Sequence, residues 1–175
     1  SLFKVNCVQC HGSGAQGSAG FPNLNDDSWV WGGKPEQIEL TISHGVRDAN
    51  NPDSRVSEMP AFGRDQVLTG EQISQVTEQV LALANLEHDA TKATAGAPIF
   101  NDNCVACHGD RGQGNMELGA PQLNDAIWLY GGTRDEITRQ IQLPRHGMMP
   151  GWVSRLGPTA VKELAAYVHS LGGGQ

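Results

Sequence analysis

The pentapeptide Cys-x-x-Cys-His occurs twice in this chain, first from Cys7 to His11 and again from Cys104 to His108. Two thiols separated by two residues can each bond one vinyl group of a single porphyrin, and the histidine that follows then lies beneath the iron. Zinc sites and thiol exchange also use paired cysteines, but neither needs a histidine directly after the pair. The repeated pattern therefore predicts two covalently bound haem c groups.

All 4 cysteines of the chain lie inside these two motifs, so none remains for a structural disulfide or a third metal site. In small exported domains, thioether bonds to haem then take the stapling role that disulfides have elsewhere. The predicted haem-attaching residues are Cys7, Cys10, Cys104 and Cys107, and the predicted proximal iron ligands are His11 and His108.

The motifs belong to a longer internal repeat, in which the second motif follows the first after 97 residues. Further matches pair 23–26 with 122–125 and 29–33 with 128–132. Such self-similarity indicates a duplicated module. We therefore expect a first domain at 1–86, a linker at 87–95 and a second domain at 96–175.

The apolar pattern of both copies is helical. Pro35 suits the first position of a helix, and the segments Thr69–Gln72 and Thr133–Glu136 have the capping-box pattern that begins helices. Pro158 should open the last helix, and the stretches 12–34 and 109–133, rich in Gly, Asn and Pro, should form loops. The expected fold is all-α, with two tandem class I-like cytochrome c domains, each wrapped around one haem.

Two methionines stand in the same local context and are candidates for the sixth iron ligand. Met59 and Met149 each precede a proline, a small residue and an aromatic residue. Thioether ligation raises the potential of haem iron and suits electron transfer, and proline stiffens the loop that presents the sulfur. We predict that both are ligands; Met148 is a neighbouring alternative to Met149, and Met116 lacks the context.

Several polar side chains in or near matching positions are candidates for contacts with haem propionates. Ordinary surface or packing roles are the competing interpretation for each. These side chains are His44, His146, Arg47, Arg145, Trp29 and Trp128.

The first copy contains 12 more residues than the second between its His-Gly pair and its Met-Pro pair. This insert, approximately Arg47 to Glu58, is polar and loop-like. It is either a docking surface or a tolerated insertion.

Charge and hydropathy limit the classes of partner. A net charge of −7 argues against nucleic acid, whose binding depends on basic side chains. No segment has the ~20 apolar residues that span a bilayer. The chain does not begin with Met and has no signal peptide, so we expect a processed or truncated protein. Because haem c is attached after export, the expected compartment is the bacterial periplasm.

Beyond these motifs, the chain resembles the di-haem cytochrome c subunits, CcoP and FixP, of cbb3-type cytochrome c oxidases. The resemblance covers essentially the whole chain and is most specific in 56–63, 117–132 and 166–174. It implies a subunit, without catalysis of its own, that passes electrons from a soluble donor cytochrome c to the haem–copper catalytic subunit. It further implies a position on the periplasmic side of the bacterial inner membrane, with membrane contact only through an anchor absent from this chain.

Residue by residue, the resemblance assigns Met59 to the haem of His11 and Met149 to the haem of His108. The family is also described with axial methionines exchanged between modules, so the sequence leaves both pairings open. Alternative functions are a soluble two-domain electron carrier, a di-haem peroxidase and a gas or redox sensor. Matching Met-Pro loops in both copies argue against the peroxidase, which needs an iron open to substrate.

Overall fold

The computed structural model describes residues 2–173, and these residues fold into eight α-helices joined by turns. No β-strand occurs in that range, where extended pairing is limited to isolated bridges. In chain order the helices are α1 (Leu2–Asn6), α2 (Val8–His11), α3 (Pro35–His44), α4 (Gly70–Leu83), α5 (Ala90–Asn103), α6 (Val105–His108), α7 (Arg134–Gln142) and α8 (Val153–His169). The prediction of an all-helical chain is confirmed.

Within residues 2–173, no helix combines the length and the apolar character that crossing a membrane would require.

The helices group into two compact units that do not follow chain order. Unit 1 combines 2–57 with 147–173, and unit 2 consists of Glu58–His146. The predicted domains at 1–86 and 96–175, whose outermost residues lie outside the described part, differ from this division. The structure groups 58–86 with the second Cys-x-x-Cys-His motif and 147–173 with the first. Duplicated modules permit such an exchange because equivalent helices offer equivalent apolar faces.

Unit 1 is built on the packing of α3 against α8. Ile38 and Ile42 lie one turn apart on α3 and are buried against Val161 and Leu164 of α8. Phe3 of α1 is only 2% exposed and belongs to the same apolar cluster. The core of unit 1 therefore joins the two ends of the chain.

Helix α8 is interrupted at its fifth residue. Gly157 has φ +80°, a conformation that glycine tolerates because it has no Cβ, and regular helix resumes at the predicted opening residue, Pro158. The short segment before the break begins just after Trp152, whose N–H donates to the Ile42 carbonyl at 3.0 Å. This bond ties the start of α8 to the end of α3.

Unit 2 is built on α4, which packs against both α5 and α7. Ile73, Val76 and Val80 form the buried stripe of α4, and Phe100 of α5 and Ile141 of α7 complete the cluster. Both predicted capping boxes are present, from Thr69 to Gln72 and from Thr133 to Glu136. Local capping therefore determines where α4 and α7 begin.

Helix α5 begins earlier than the sequence predicts. Residues 90–95, expected to be part of a linker, form its first turns. The Asp89 carboxylate caps these turns by accepting hydrogen bonds from the N–H groups of Thr91 and Lys92. The segment lacks apolar periodicity because its contact with α4 uses small residues, Ala93 and Gly96, which allow close approach.

Gly96 provides a test of this close approach. A Cβ at position 96 would lie 2.1 Å from the Gln75 carbonyl oxygen of α4, which is backbone and cannot rotate away. Although alanine favours helix more than glycine does, we expect Gly96→Ala to destabilise the fold by about 1–3 kcal/mol because the two helices must separate. Thermal unfolding of the haem-loaded protein measures the effect.

Gly70 provides the matched control, since it begins α4 and a Cβ there would meet no atom within 4 Å. Gly70→Ala should leave stability unchanged or raise it by up to about 1 kcal/mol. An equal melting temperature for the two variants would contradict the packing argument.

A buried carboxylate links three segments of unit 2. Glu78 of α4 is 4% exposed and accepts hydrogen bonds from the Arg134 guanidinium at 2.5 and 3.2 Å. It also accepts the Asp89 N–H at 2.8 Å, just before α5. Hydrogen bonding to Arg134 is the largest cause of a pKa for Glu78 below that of an ordinary glutamate. The carboxylate therefore stabilises the unit in its charged form.

Because the folded-state pKa of Glu78 is depressed, its stabilisation is complete above the ordinary glutamate pKa and is lost as pH falls through the folded value. We expect Glu78→Gln to lower the free energy of unfolding at pH 7 by about 1–3 kcal/mol. The loss is no larger because the Arg134 side chain is 50% exposed, so water screens its charge. The loss should shrink under acidic conditions. Chemical denaturation at several pH values measures it, with the exposed Asp102→Asn on α5 as the charge-matched control.

Candidate haem-binding sites

The first Cys-x-x-Cys-His motif forms a single helical turn directly after α1. The Cys7 N–H donates to the Phe3 carbonyl at 2.9 Å, and the His11 N–H donates to the Cys7 carbonyl at 2.9 Å. Cys7 directly precedes the short helix α2, and Cys10 and His11 are the last two residues of that helix. Both thiols are free, with Cys7 half-buried and Cys10 exposed.

The second motif repeats this geometry after α5. The Cys104 N–H donates to the Phe100 carbonyl at 2.8 Å, and the His108 N–H donates to the Cys104 carbonyl at 2.9 Å. Cys104 and Cys107 are also free thiols. Burial, followed by the proximity of Cys107, raises the pKa of Cys104 to about 11, so this thiol is protonated at neutral pH.

Each motif histidine is oriented by a carbonyl from the loop that follows it. His11 Nδ1 lies 2.9 Å from the Pro22 oxygen, and His108 Nδ1 lies 2.9 Å from the Pro121 oxygen. A carbonyl accepts only from a protonated ring nitrogen, so Nε2 carries the free lone pair. Burial also lowers the pKa of His108, which favours the neutral ring. Both imidazoles are thus prepared to bind a metal through Nε2.

Met149 lies in unit 1, together with the first motif. It packs against the same apolar cluster as Cys7 and Val8. Its backbone exchanges two hydrogen bonds of 2.9 Å with Val46, one in each direction. The neighbouring Met148 is 61% exposed, so only one of the two adjacent methionines belongs to the core.

Met59 lies in unit 2, together with the second motif. It packs against the cluster that also contacts Cys104 and Val105. Its backbone N–H donates to Nε2 of His146 at 2.9 Å. His146 therefore contacts the Met59 loop directly, and its sequence assignment as a propionate contact stays a prediction.

The grouping of methionines with motifs differs from the order along the chain. The Met that follows the first motif in sequence lies with the second motif, and the reverse holds for Met149. The chain enters unit 2 directly before the Met59 loop and leaves it directly before the Met149 loop. Sequence matching could not predict this, because the two Met-Pro loops have the same local pattern.

The residues around each site suit an apolar macrocycle that carries carboxylates. Trp128 Nε1 and Arg55 Nε are buried donors without a hydrogen-bond partner in the described part of the chain. Burying an unpaired donor is costly, so these atoms fit an acceptor supplied by a bound group. The predicted equivalent Trp29 instead donates its indole N–H to the Gly173 carbonyl. The indole N–H of Trp128 is therefore available to a bound group, whereas that of Trp29 is already used.

Arg55 is a residue that the sequence interpretation missed. Its guanidinium lies 5.2 Å from the Trp31 ring centroid and donates to the Trp31 carbonyl. Arg145 lies 4.7 Å from the Tyr130 ring centroid and donates to the Tyr130 carbonyl in the same way. A sequence signal existed, since each arginine precedes a Met-Pro methionine by four residues. Arg47, the other arginine that the sequence indicated as a candidate propionate contact, instead donates to the backbone carbonyls of Gly147 and Ser57.

Two further candidates from the sequence are His44 and Met116. The His44 carbonyl accepts a hydrogen bond from Asn51, and Met116 is 44% exposed. Neither observation assigns these residues a role in metal binding.

Known proteins of similar sequence belong to one family. A family model described as cytochrome c oxidase, cbb3-type, subunit III matches residues 1–78 and 91–168, and each matched segment contains one Cys-x-x-Cys-His motif. All of the chain aligns with subunit CcoP of Cereibacter sphaeroides at 51% identity and with subunit FixP of Sinorhizobium medicae at 54% identity. Subunit CcoP of Rhodobacter capsulatus is 46% identical over the whole chain.

The chain spans about 60% of the length of the first two relatives and 62% of the third. The family match covers most of the chain, includes both motifs and is accompanied by relatives of about half-identical sequence. On these grounds the chain belongs to the family of subunit III of cbb3-type cytochrome c oxidases.

Proposed function

We propose that this chain is a di-haem electron relay, which passes electrons from a soluble donor cytochrome c to the catalytic subunit of a haem–copper oxidase. Its relatives are named as subunits of cbb3-type oxidases, which supports membership of such a complex. The chain would act on the periplasmic side of the bacterial inner membrane. It would perform no catalysis of its own.

The observation that carries the proposal is the composition of the two units. Each unit brings one Cys-x-x-Cys-His turn and one Met-Pro methionine onto the same apolar cluster. We therefore assign Cys7, Cys10, His11 and Met149 to one haem c, and Cys104, Cys107, His108 and Met59 to the other. Each unit would then be a class I-like cytochrome c domain assembled from two parts of the chain.

The protein residues would have distinct roles at each site. The carbonyls of Pro22 and Pro121 orient the imidazoles. The two thiols would attach the group covalently, and the methionine sulfur would be the second protein ligand of the iron and would exclude water and gases. Haem c, when bound, supplies an iron that accepts and releases one electron. Arg55 and Trp128, whose buried donors have no partner in the described residues, would donate hydrogen bonds to the propionates.

The distribution of charge between the two units favours a basic donor that approaches unit 2. Glu58–His146 contains 12 acidic and 6 basic side chains, which accounts for most of the net charge of −7. An acidic surface steers a positively charged partner during diffusional encounter, most strongly at low ionic strength. We propose that the donor cytochrome is basic and approaches unit 2.

The crossed ligand assignment can be tested in a chain that keeps one haem. Replacing Cys7 and Cys10 by Ser removes attachment at the first motif and leaves the haem of His108. In this background we expect Met59→Ala to abolish the weak red absorption band of sulfur bound to ferric iron. It should also lower the midpoint potential by on the order of 0.1 V, because thioether ligation favours the reduced iron. Optical redox titration measures both changes.

Met149→Ala in the same background serves as the control and should change neither the band nor the potential. The reciprocal protein, with Cys104 and Cys107 replaced by Ser, should respond in the opposite way. Loss of the band with Met149→Ala in the chain that keeps only the haem of His108 would rule out the crossed assignment.

The relay function requires measurement in the assembled oxidase. We expect Met149→Ala to reduce oxygen consumption driven by a reduced basic donor cytochrome by about tenfold or more, because a lowered potential at one site interrupts transfer along the chain. A small-molecule reductant that donates directly to the catalytic subunit should support unchanged turnover. Undiminished donor-driven turnover in a complex whose Met149 site has demonstrably lost its sulfur ligand would argue against the relay.

A further inference from the structure

The insert of the first copy, which the sequence interprets as a docking surface or a tolerated insertion, contacts the segment that carries Met149. Residues 47–57 belong to unit 1, as does the Met149 segment. The insert folds back so that Arg47 donates its N–H to the Arg55 carbonyl at 2.7 Å. This bond holds the beginning of the insert close to its end.

The backbone immediately before the insert pairs with Met149 itself. Val46, which is 6% exposed, exchanges two hydrogen bonds of 2.9 Å with Met149, as in a narrow antiparallel bridge. Gly45 permits this approach: it has φ +73°, and a Cβ there would lie 2.2 Å from the Met149 oxygen. The main chain of Met149 is thus held by hydrogen bonds to the buried residue Val46.

Two charged side chains of the insert hold the loop on either side of Met149. Arg47 Nε donates to the Gly147 carbonyl at 2.6 Å, two residues before the methionine. Asp48 Oδ2 accepts the Gly151 N–H at 3.0 Å, two residues after it. Both bonds are charge-assisted, and these are stronger than bonds between neutral groups.

The insert in turn positions these two side chains. The Asp48 N–H donates to Ser54 Oγ at 3.0 Å, and a second nitrogen of Arg47 donates to the Ser57 carbonyl at 2.8 Å. Arg47 also has φ +52°, which is unfavourable for a residue with a side chain and persists only where surrounding contacts demand it. The insert is therefore an organised clamp rather than a tolerated loop.

Such a clamp controls the register of the Met149 segment against Val46. Successive side chains of an extended segment point to opposite sides, so a slip of one residue would exchange Met149 for Met148. In the observed register Met149 packs on the core of unit 1, whereas Met148 is 61% exposed. The sequence alone left the choice between these methionines open.

We propose that Arg47 and Asp48 are positioning residues that hold the register of the 147–151 loop, so that Met149 rather than Met148 is presented to the iron of the His11 site. This inference rests on the proposed assignment of Met149 as the axial ligand of that site. Met59 in unit 2 is held differently, through the ring of His146. The two sites would then differ in how firmly their sulfur ligands are fixed.

The test uses the full two-haem chain and titrates the ferric protein with imidazole, which competes with the methionine sulfur. We expect Asp48→Ala to lower the imidazole concentration needed for half displacement at one haem by about tenfold, as loss of a charge-assisted hydrogen bond implies. The other haem should respond as in the unsubstituted chain. Asp48→Asn, which keeps an oxygen acceptor for the Gly151 N–H, should restore most of the resistance.

Asp53→Ala is the matched control. Asp53 is an exposed residue of the same insert, and its substitution removes the same charge as Asp48→Ala does. Equal imidazole sensitivity of Asp48→Ala and Asp53→Ala would overturn the proposal. Arg47→Gln provides an independent variant that should also sensitise the same haem. If Asp48→Ala fails to fold, the titration of Arg47→Gln against Asp53→Ala decides the question.

Register itself is tested with Met148→Leu. In a chain with no other substitution, this change should leave the sulfur–iron band intact. Loss of the band in that variant would overturn the proposal. Failure of the underlying ligand assignment gives a different result, because Met149→Ala would then leave the sulfur–iron band unchanged in the chain that keeps only the haem of His11. The two failures are therefore distinguishable in one set of proteins.

Discussion

Packing of each Cys-x-x-Cys-His turn onto the apolar core of its unit is the constraint on which the rest of the structure depends. The turn is tied to the preceding helix by the backbone bonds of Cys7 and Cys104, and its histidine is oriented by a carbonyl from the following loop. The second ligand proposed for each site comes from a segment packed on that same core. In both units this segment is a Met-Pro loop.

The crossing of the chain between the units follows from helix packing rather than from the motifs. Helix α4 packs on α5 and α7, and α8 packs on α3, so each Met loop lies in the unit to which its following helix belongs. Each unit is thereby completed by a segment distant in sequence. Contacts of this kind raise the entropic cost of closure, and the covalent attachment of a cofactor would offset that cost.

The two units resemble each other in plan and differ in detail at the loops that present sulfur. In unit 1 an insert clamps the loop with Arg47 and Asp48, and in unit 2 the ring of His146 accepts the Met59 N–H. Their charges differ as well, since the acidic excess lies mostly in Glu58–His146. Duplication followed by such divergence gives two similar units whose Met-Pro loops are held by different contacts.

The sequence by itself determined the helical class, the capping of α4 and α7, and the attachment turns, because these depend on residues close together in the chain. It also identified Met59 and Met149 as a matched pair. Only the tertiary structure decided which core each methionine joins, that 90–95 is helical, that Arg55 lies over Trp31, and that the insert binds the Met149 loop. Equivalent apolar stripes in two copies leave the partner of each helix undetermined until long-range packing selects it.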